Sequence, residues 1–180
     1  QSEMEMEQNQ NYKLGELILS IKEGNVAAVS EIYMMVGKAM MATAYSYVRN
    51  NADAEDIVQD SLVKIVERAS KFRTNKNARA LINTIVSNIA KNRVGYIQRR
   101  KEVNIDVAQN VATKPDEHGI IVNEIFDILT EKERQYIIYR FWYDCSFFEM
   151  AKIFHRSKTN VNYRFNKIIE KIKNFYNLDE

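Results

Sequence analysis

Glycine and proline are too scarce in this chain for a fold built mainly from β-sheet. The 180 residues include 5 glycines and 1 proline. Strands are joined by tight turns, and those turns depend on Gly, Pro, Asn and Asp at short intervals. The sequence therefore predicts an all-α protein. Because domains usually contain about 100–150 residues, the chain can form one medium core or two small ones.

The first half of the chain contains four segments in which apolar residues recur at helical spacing. We predict a short helix over 13–23, a long helix over 26–49, and a third helix that Asp53 caps and that runs to about residue 71. A fourth helix follows a short polar connection and reaches about Arg100. These helices should form one domain.

The helical period is absent at the N-terminus and again in the middle of the chain. Residues 1–11 are interpreted as a polar tail without a structural role, and Pro115 lies in the second aperiodic stretch. The predicted organisation is therefore a polar tail (1–11), a first helical domain (12–101), a linker (102–119) and a second helical domain (120–180).

The second domain ends in two helices whose spacing is typical of a helix-turn-helix. Beyond a helix over 120–129 and another capped by Thr130, Ser146 caps a short helix and Ser157 caps a longer one. A short turn joins this pair, as in motifs that place the second helix in the major groove. His155 falls in the turn, and we interpret it as a turn residue with a left-handed backbone rather than a metal ligand.

The outer face of the last helix combines cations with hydrogen-bonding side chains. Cations neutralise phosphates, whereas amide, hydroxyl and phenol groups near the start of the helix reach base edges or sugars. The alternative is a simple helical hairpin with a solvated basic face. The predicted contacts to duplex DNA are Lys158, Thr159, Asn162, Tyr163, Arg164 and Lys167.

Two surfaces of opposite charge are predicted in the first domain. The end of the fourth helix interleaves cations with amide and aromatic groups, a composition that suits single-stranded nucleic acid. The alternative is an exposed basic helix end that compensates the macrodipole. The third helix has an acidic face, which either contacts solvent or meets a basic protein partner. The basic stretch comprises Lys91, Arg93, Arg99, Arg100 and Lys101, and the acidic face comprises Glu55, Asp56, Gln59 and Asp60.

Composition argues against several other classes of protein. With 1 cysteine and 2 histidines, the chain cannot form an intramolecular disulfide and has no plausible zinc or catalytic set, so we expect no metal, no cofactor and no enzymatic activity. Cys145 is interpreted as a core or interface residue. No apolar run approaches the roughly 18 residues of a membrane span, and no secretory signal is recognisable, so we expect a soluble, cytoplasmic protein.

With these features in place, the chain resembles the extracytoplasmic-function sigma factors, the smallest members of the bacterial sigma-70 family. The resemblance covers about residues 13–178. The segments that carry it are Glu23-Gly24-Asn25, the run from Asp53 to Asp60, Asn88-Ile89-Ala90-Lys91-Asn92 with Arg99-Arg100, the run from Leu129 to Arg134, and the helix-turn-helix.

The resemblance implies a two-domain transcription initiation factor that binds rather than catalyses. In that family the acidic third helix docks on the clamp helices of the largest RNA polymerase subunit, the flap of the second-largest subunit is a further contact, and an anti-sigma factor masks these faces. The next loop and the fourth helix capture the melted minus-ten strand of promoter DNA, and the second domain reads the minus-thirty-five duplex. The implied docking residues are Glu55, Asp56, Gln59 and Asp60, and the implied strand contacts are Asn75, Lys76, Asn77, Asn88, Lys91, Asn92, Arg93, Arg99 and Arg100.

The sequence departs from the family pattern at several positions. Many relatives have a tryptophan where this chain has Ala80-Leu81-Ile82, a proline where it has Thr130, and a glycine where it has His155. The loop 73–77 lacks the usual glycine and acidic residue, which leaves the pocket for a flipped-out base open. A rival interpretation is a helix-turn-helix repressor or activator that binds operator DNA as a dimer, although the acidic face argues against it.

Overall fold

The computed structural model describes residues 3–73, 77–103 and 117–178, and every regular element in these ranges is helical. The elements are α1 (Glu3–Lys22), α2 (Ala28–Val48), α3 (Asn51–Arg68), a 3-10 turn (Ala69–Lys71), α4 (Ala78–Val103), α5 (Glu117–Ile128), α6 (Glu131–Phe141), α7 (Phe147–Phe154) and α8 (Lys158–Phe175). The predicted all-α class is confirmed.

Side-chain caps fix the starts of the helices in the second half of the chain. Thr130 begins α6 with a capping box, in which its hydroxyl and the side chain of the third helical residue each bond to the other's backbone N–H. Ser146 and Ser157 cap α7 and α8 by accepting a bond from a backbone N–H of the first turn. The caps predicted at these positions are confirmed.

The cap of α3 lies earlier than the sequence predicted. Asn50 has an extended backbone, and its side chain accepts a hydrogen bond from the backbone N–H of Asp53 at 3.0 Å. Asp53 therefore sits inside the first turn, where its charge is favoured by the positive end of the helix dipole. The chain reaches this cap through Arg49, whose left-handed backbone (φ 53°) ends α2.

The N-terminal segment is helical, which corrects its interpretation as a tail without a structural role. Helix α1 begins at Glu3 rather than near Lys13, and it contacts the start of α4. Asn11 accepts a hydrogen bond from the backbone N–H of Arg79 at 3.2 Å, and Gln10 accepts one from the Arg79 guanidinium at 2.9 Å. These contacts are polar and long-range, so hydrophobic periodicity could not reveal them.

The first unit, α1 to α4, encloses a core of aliphatic side chains. Ile32, Ile57 and Ile82 are fully buried where α2, α3 and α4 pack together. The predicted apolar stripes were too wide at two positions, since Tyr33 on α2 is 53% exposed and Val66 on α3 is 37% exposed. Both residues lie at the edges of their stripes, beyond the reach of the neighbouring helix.

The second unit, α5 to α8, has an aromatic core. Phe126 and Tyr136 are buried, and the rings of Tyr136 and Phe154 stack with their centroids 4.2 Å apart. Val161 and Phe165 are buried between α7 and α8, as predicted for the wedge of the helix-turn-helix. This packing sets the angle at which α8 projects from the unit.

The two units pack against each other through α2 and α6, and their buried residues form one continuous core. Helix α4 runs to Val103 and α5 begins at Glu117, so helix extends into both ends of the segment that was predicted to be a linker. Residues 104–116, which make up most of that segment, lie outside the described residues. No helix in the described ranges is both long and apolar enough to cross a membrane.

Candidate nucleic-acid and protein interfaces

The turn between α7 and α8 has the backbone that a helix-turn-helix requires. His155 adopts a left-handed conformation (φ 52°, ψ 48°), which confirms its interpretation as a turn residue. The backbone N–H of Arg156 then bonds to the carbonyl of Ala151 at 2.9 Å and closes the end of α7. Ala151 is buried, and its small side chain lets α8 cross closely.

The residues predicted to contact duplex DNA lie together on the outer surface of α8. Lys158, Thr159, Asn162, Tyr163 and Lys167 are exposed, and Arg164 is half-buried. The hydrogen bonds and ion pairs of these side chains stay within the helix. They join Arg164 to Asn160 at 2.9 Å, Asn166 to Asn162 at 3.1 Å, and Lys167 to Glu170 at 3.4 Å.

The residues predicted to contact the melted strand are distributed differently. Asn88, Asn92, Arg99 and Arg100 are exposed along α4, while Asn75 and Lys76 lie outside the described residues. The remaining three have partners on other helices, as the following paragraphs describe.

Asn77 has a structural role that the sequence prediction missed. Its side-chain oxygen accepts a hydrogen bond from the backbone N–H of Ala80 at 2.9 Å, so it caps the first turn of α4. Its side-chain nitrogen donates to Glu149 of α7 at 3.0 Å. Asn77 therefore links the start of α4 to the helix-turn-helix.

Arg93 bridges the two predicted surfaces of the first unit. Its guanidinium lies 3.4 Å from Asp60, 3.8 Å from Asp53 and 4.0 Å from Asp56, and its side chain is 29% exposed. Glu55, Asp56, Gln59 and Asp60 are all exposed along α3. Because α3 and α4 pack side by side, the acidic face and the strand face adjoin, which the linear sequence did not indicate.

A buried ion pair joins the two units, and no sequence motif predicted it. Arg79 of α4 pairs with Glu149 of α7 at 2.8 Å, and their side chains are 3% and 12% exposed. The sulfur of Cys145 lies 3.9 Å from the same guanidinium. Burial raises the pKa of the Cys145 thiol well above its usual range, and the residue is 0% exposed, so its interpretation as a core or interface residue is confirmed.

A second polar cluster joins α2 and α4 to α6. Glu131 accepts hydrogen bonds from Tyr47 at 2.8 Å and Lys91 at 2.7 Å. The Lys91 ammonium and the Tyr47 hydroxyl both lower the pKa of the Glu131 carboxyl. Burial, together with the negative charge of Glu131, raises the pKa of Tyr47 to about 12. Lys91 is therefore already paired with a carboxylate of the second unit.

Buried amides extend this cluster into the interface. Asn83 is 3% exposed, accepts a hydrogen bond from Thr43 at 2.6 Å and donates one to Gln135 of α6 at 2.6 Å. The sequence did contain a signal for this surface, because Arg79, Asn83 and Ser87 are polar residues spaced four apart on one face of α4. All three are buried, so this polar stripe marks a covered surface.

A cleft of about 810 Å³ opens beside the Asn77–Glu149 contact. The first unit contributes the end of α3 and the beginning of α4, and the second unit contributes the end of α7. Its charged lining is basic on both sides, with Arg68, Lys71 and Arg73 on the first unit and Lys152 and His155 on the second.

The comparisons with known sequences agree with this architecture. Residues 32–101 match the family described as Sigma-70 region 2. The chain is 25% identical over 126 residues to RNA polymerase sigma factor SigV of Bacillus subtilis (strain 168), a match that covers 67% of this chain and 74% of SigV. It is 24% identical over 160 residues to bacteriocin UviA of Clostridium perfringens, with 81% of this chain and 86% of UviA covered.

Solved structures share the fold. CnrH, in complex with the cytosolic domain of CnrY, has a TM-score of 0.67 and 19% identity, over 95% of this chain and 99% of CnrH. RpoE of Bartonella quintana, in complex with the anti-sigma factor NepR, has a TM-score of 0.63 and 21% identity, over 84% of this chain and 98% of RpoE. The match to region 2 and the shared fold confirm the resemblance drawn from the sequence: the chain belongs to the bacterial sigma-70 family, within which it resembles the extracytoplasmic-function sigma factors.

Proposed function

We propose that this protein directs core RNA polymerase to specific promoters and acts by binding rather than by catalysis. It docks on core polymerase through α3, captures the melted minus-ten strand with α4 and reads the minus-thirty-five duplex with α8. The observation that carries the proposal is the adjacency of an exposed acidic face on α3 and a cationic, amide-rich surface on α4, inside the segment that matches Sigma-70 region 2.

The acidic face suits a protein partner rather than DNA. Asp56 and Asp60 are exposed carboxylates on consecutive turns of α3, and they would repel phosphates. A basic helical surface of the polymerase would be attracted by these charges and oriented by them. This charge pattern supports α3 as the docking helix.

The exposed part of α4 suits an unpaired strand. Asn88 and Asn92 lie one turn apart, so their amides can reach base edges on the same face. Further along α4, the Arg100 guanidinium lies 5.6 Å from the centre of the Tyr96 ring, which is 51% exposed. An aromatic ring beside a cation can stack on a base while the cation contacts the adjacent phosphate.

The surface of α8 suits the major groove. The amide of Asn162 and the phenol of Tyr163 lie on the early turns, and Lys167 follows one turn later. Early residues of a recognition helix reach base edges, and later cations meet the backbone. Domain boundaries near residues 12–101 and 120–180 agree with this division of labour, with the first unit beginning at α1.

Two partners follow from this proposal. Core polymerase is the first, through its clamp helices and flap. The second is an anti-sigma factor, and it is supported by the solved structure of RpoE with the anti-sigma factor NepR. Such a partner would have to cover the α3 face or the DNA-binding faces to prevent promoter use. Operation in the cytoplasm, where polymerase and DNA are located, is part of the same proposal.

The proposal is tested by run-off transcription with core polymerase on genomic fragments. The protein should stimulate specific transcripts, and the double charge reversal Asp56→Lys with Asp60→Lys should abolish stimulation and co-purification with core polymerase. A matched control reverses two exposed acids elsewhere, Glu16→Lys with Glu31→Lys, which gives the same change in net charge. This control should behave like the parent protein.

The outcomes separate the proposal from its rival. Absence of stimulation by the parent protein would overturn the proposal. Tight binding of operator duplex without polymerase, together with failure to co-purify with core polymerase, would establish the repressor or activator instead. If the parent protein works and the Asp56 and Asp60 reversal works equally well, only the docking role of α3 is wrong.

A further inference from the structure

The surface proposed to capture the melted strand is covered by the second unit of the same chain. Lys91 pairs with Glu131 at 2.7 Å, and Asn77 donates to Glu149 at 3.0 Å. A carboxylate accepts hydrogen bonds from the same donors that phosphates and base acceptors use. The second unit therefore occupies two of the groups that the DNA strand needs.

The buried ion pair holds this cover in position. Glu149 bonds at once to Asn77 and to the Arg79 guanidinium, and the pair with Arg79 is shielded from water. Removal of one member of a buried pair leaves an uncompensated charge, which strongly disfavours the packed arrangement. Neutralising Glu149 therefore acts on the interface itself and not only on Asn77.

The surroundings of this pair make the carboxylates decisive. Cations line the neighbouring cleft from both units, including Arg73 on one side and Lys152 on the other. Like charges that face each other favour separation of the two units. Attraction through Glu149 and Glu131 opposes this repulsion, so the closed arrangement depends on a few acidic side chains.

From these contacts we infer that the closed arrangement is autoinhibitory: Glu131 and Glu149 shield the strand-capturing surface of α4, and the second unit must withdraw before the strand binds. This inference rests on the proposed function. The apparent affinity for a single strand is then the intrinsic affinity multiplied by the fraction of molecules that are open. Docking on polymerase would favour the open form if the two contacts compete for the same surfaces.

The experiment measures binding of a fluorescein-labelled single-stranded oligodeoxynucleotide of mixed sequence to the full chain, by fluorescence anisotropy at fixed salt. The variants are Glu149→Gln, Glu131→Gln and the double variant. We expect the double variant to bind at least about tenfold more tightly than the parent protein, because two charge-assisted contacts are weakened. Its radius of gyration, measured by small-angle X-ray scattering, should increase.

A charge-matched control separates opening from a general gain in positive charge. The double variant Glu16→Gln with Glu67→Gln changes net charge equally at exposed positions of the first unit. It should leave the affinity and the radius of gyration near those of the parent protein. An equal gain in affinity by this control would overturn the inference, and so would opening of the Glu131 and Glu149 double variant without any gain in affinity.

The origin of the gain can be checked on α4. Lys91→Ala in the background of the Glu131 and Glu149 double variant should remove much of the added affinity, because Lys91 is one of the groups uncovered. If the parent protein directs transcription and the uncovering variants bind the strand no better than the parent, autoinhibition alone fails. If no variant binds a single strand and the parent protein directs no transcription, the proposed function itself fails.

Discussion

The two surfaces proposed to bind DNA have opposite kinds of partners. On α8, the contacts of the outer side chains are local, such as Lys167 with Glu170 in the next turn. On α4, Lys91 and Asn77 bond to carboxylates of the second unit, and Arg93 bonds to carboxylates of α3. Local side-chain pairs on an exposed helix are weak and easily exchanged for DNA, whereas contacts across an interface require movement of whole helices. One surface can be read directly, and the other must first be uncovered.

The largest expected effect comes from removing the cation of the buried pair. Arg79→Met should lower the free energy of unfolding by about 3 kcal/mol, because Glu149 is left without its buried partner. Chemical denaturation with urea measures this change. Lys64→Met, which breaks the exposed pair with Glu67 within α3, should cost less than about 0.5 kcal/mol. Similar losses for the two variants would contradict the distinction between interface and local contacts.

The second effect concerns base recognition by α8. Asn162→Ala should relax the preference for one base pair of the duplex site by about 1–3 kcal/mol, because the amide is exposed on an early turn and is free to read a base edge. Competition binding with singly substituted duplexes measures this preference. Asn174→Ala, at an exposed position near the end of α8, is the control and should leave the preference unchanged. Equal loss on every sequence would assign Asn162 to the backbone instead.

The third effect compares equivalent lysines on the two surfaces. Lys167→Ala should reduce the salt dependence of duplex binding by about one unit of slope, since one phosphate contact is lost. Lys91→Ala should leave duplex binding unchanged, because Lys91 is paired with Glu131 and lies on the other unit. Binding isotherms across a salt series give both slopes. An equal reduction by the two variants would remove the contrast between the surfaces.

The smallest effect is a dependence of the interface on pH. The pKa of Glu131 in the folded protein lies below its ordinary value of 4.5, so its stabilisation is fully present above that value and is lost as the pH falls through the lowered pKa. The contribution is below about 1 kcal/mol because the side chain is 53% exposed and screened by water. The difference in unfolding midpoint between the parent protein and Glu131→Gln should therefore narrow below pH 4.5. A difference that widens on acidification would contradict this assignment.

Local features of the fold were predictable because they depend on neighbouring residues. The caps at Thr130, Ser146 and Ser157 follow from short-range hydrogen bonding, and the left-handed backbone at His155 follows from the length of the turn. The buried positions of α8, such as Val161 and Phe165, follow from helical periodicity. These features place the recognition surface correctly on an exposed face.

Long-range polar contacts were not predictable, because periodicity describes one helix at a time. The Arg79–Glu149 pair joins residues far apart in the chain, and the role of Asn77 as a cap and interface residue depends on the same packing. Arg93 was expected to face DNA, yet the packing of α3 beside α4 gives it carboxylate partners. The sequence indicated which surfaces carry charge, and the packing determines which of those charges are already neutralised.

The contacts of α1 with the start of α4 have a practical consequence for defining the smallest stable first domain. A fragment trimmed to begin at Tyr12 would lose Asn11, which accepts the bond from the Arg79 backbone, and Gln10, which holds the Arg79 side chain. The first turn of α4 would then fray beside the loop that leads into it. Limited proteolysis should cut such a fragment near residues 73–78 faster than it cuts the full chain. Residues that resemble a dispensable leader therefore belong to the minimal folding unit.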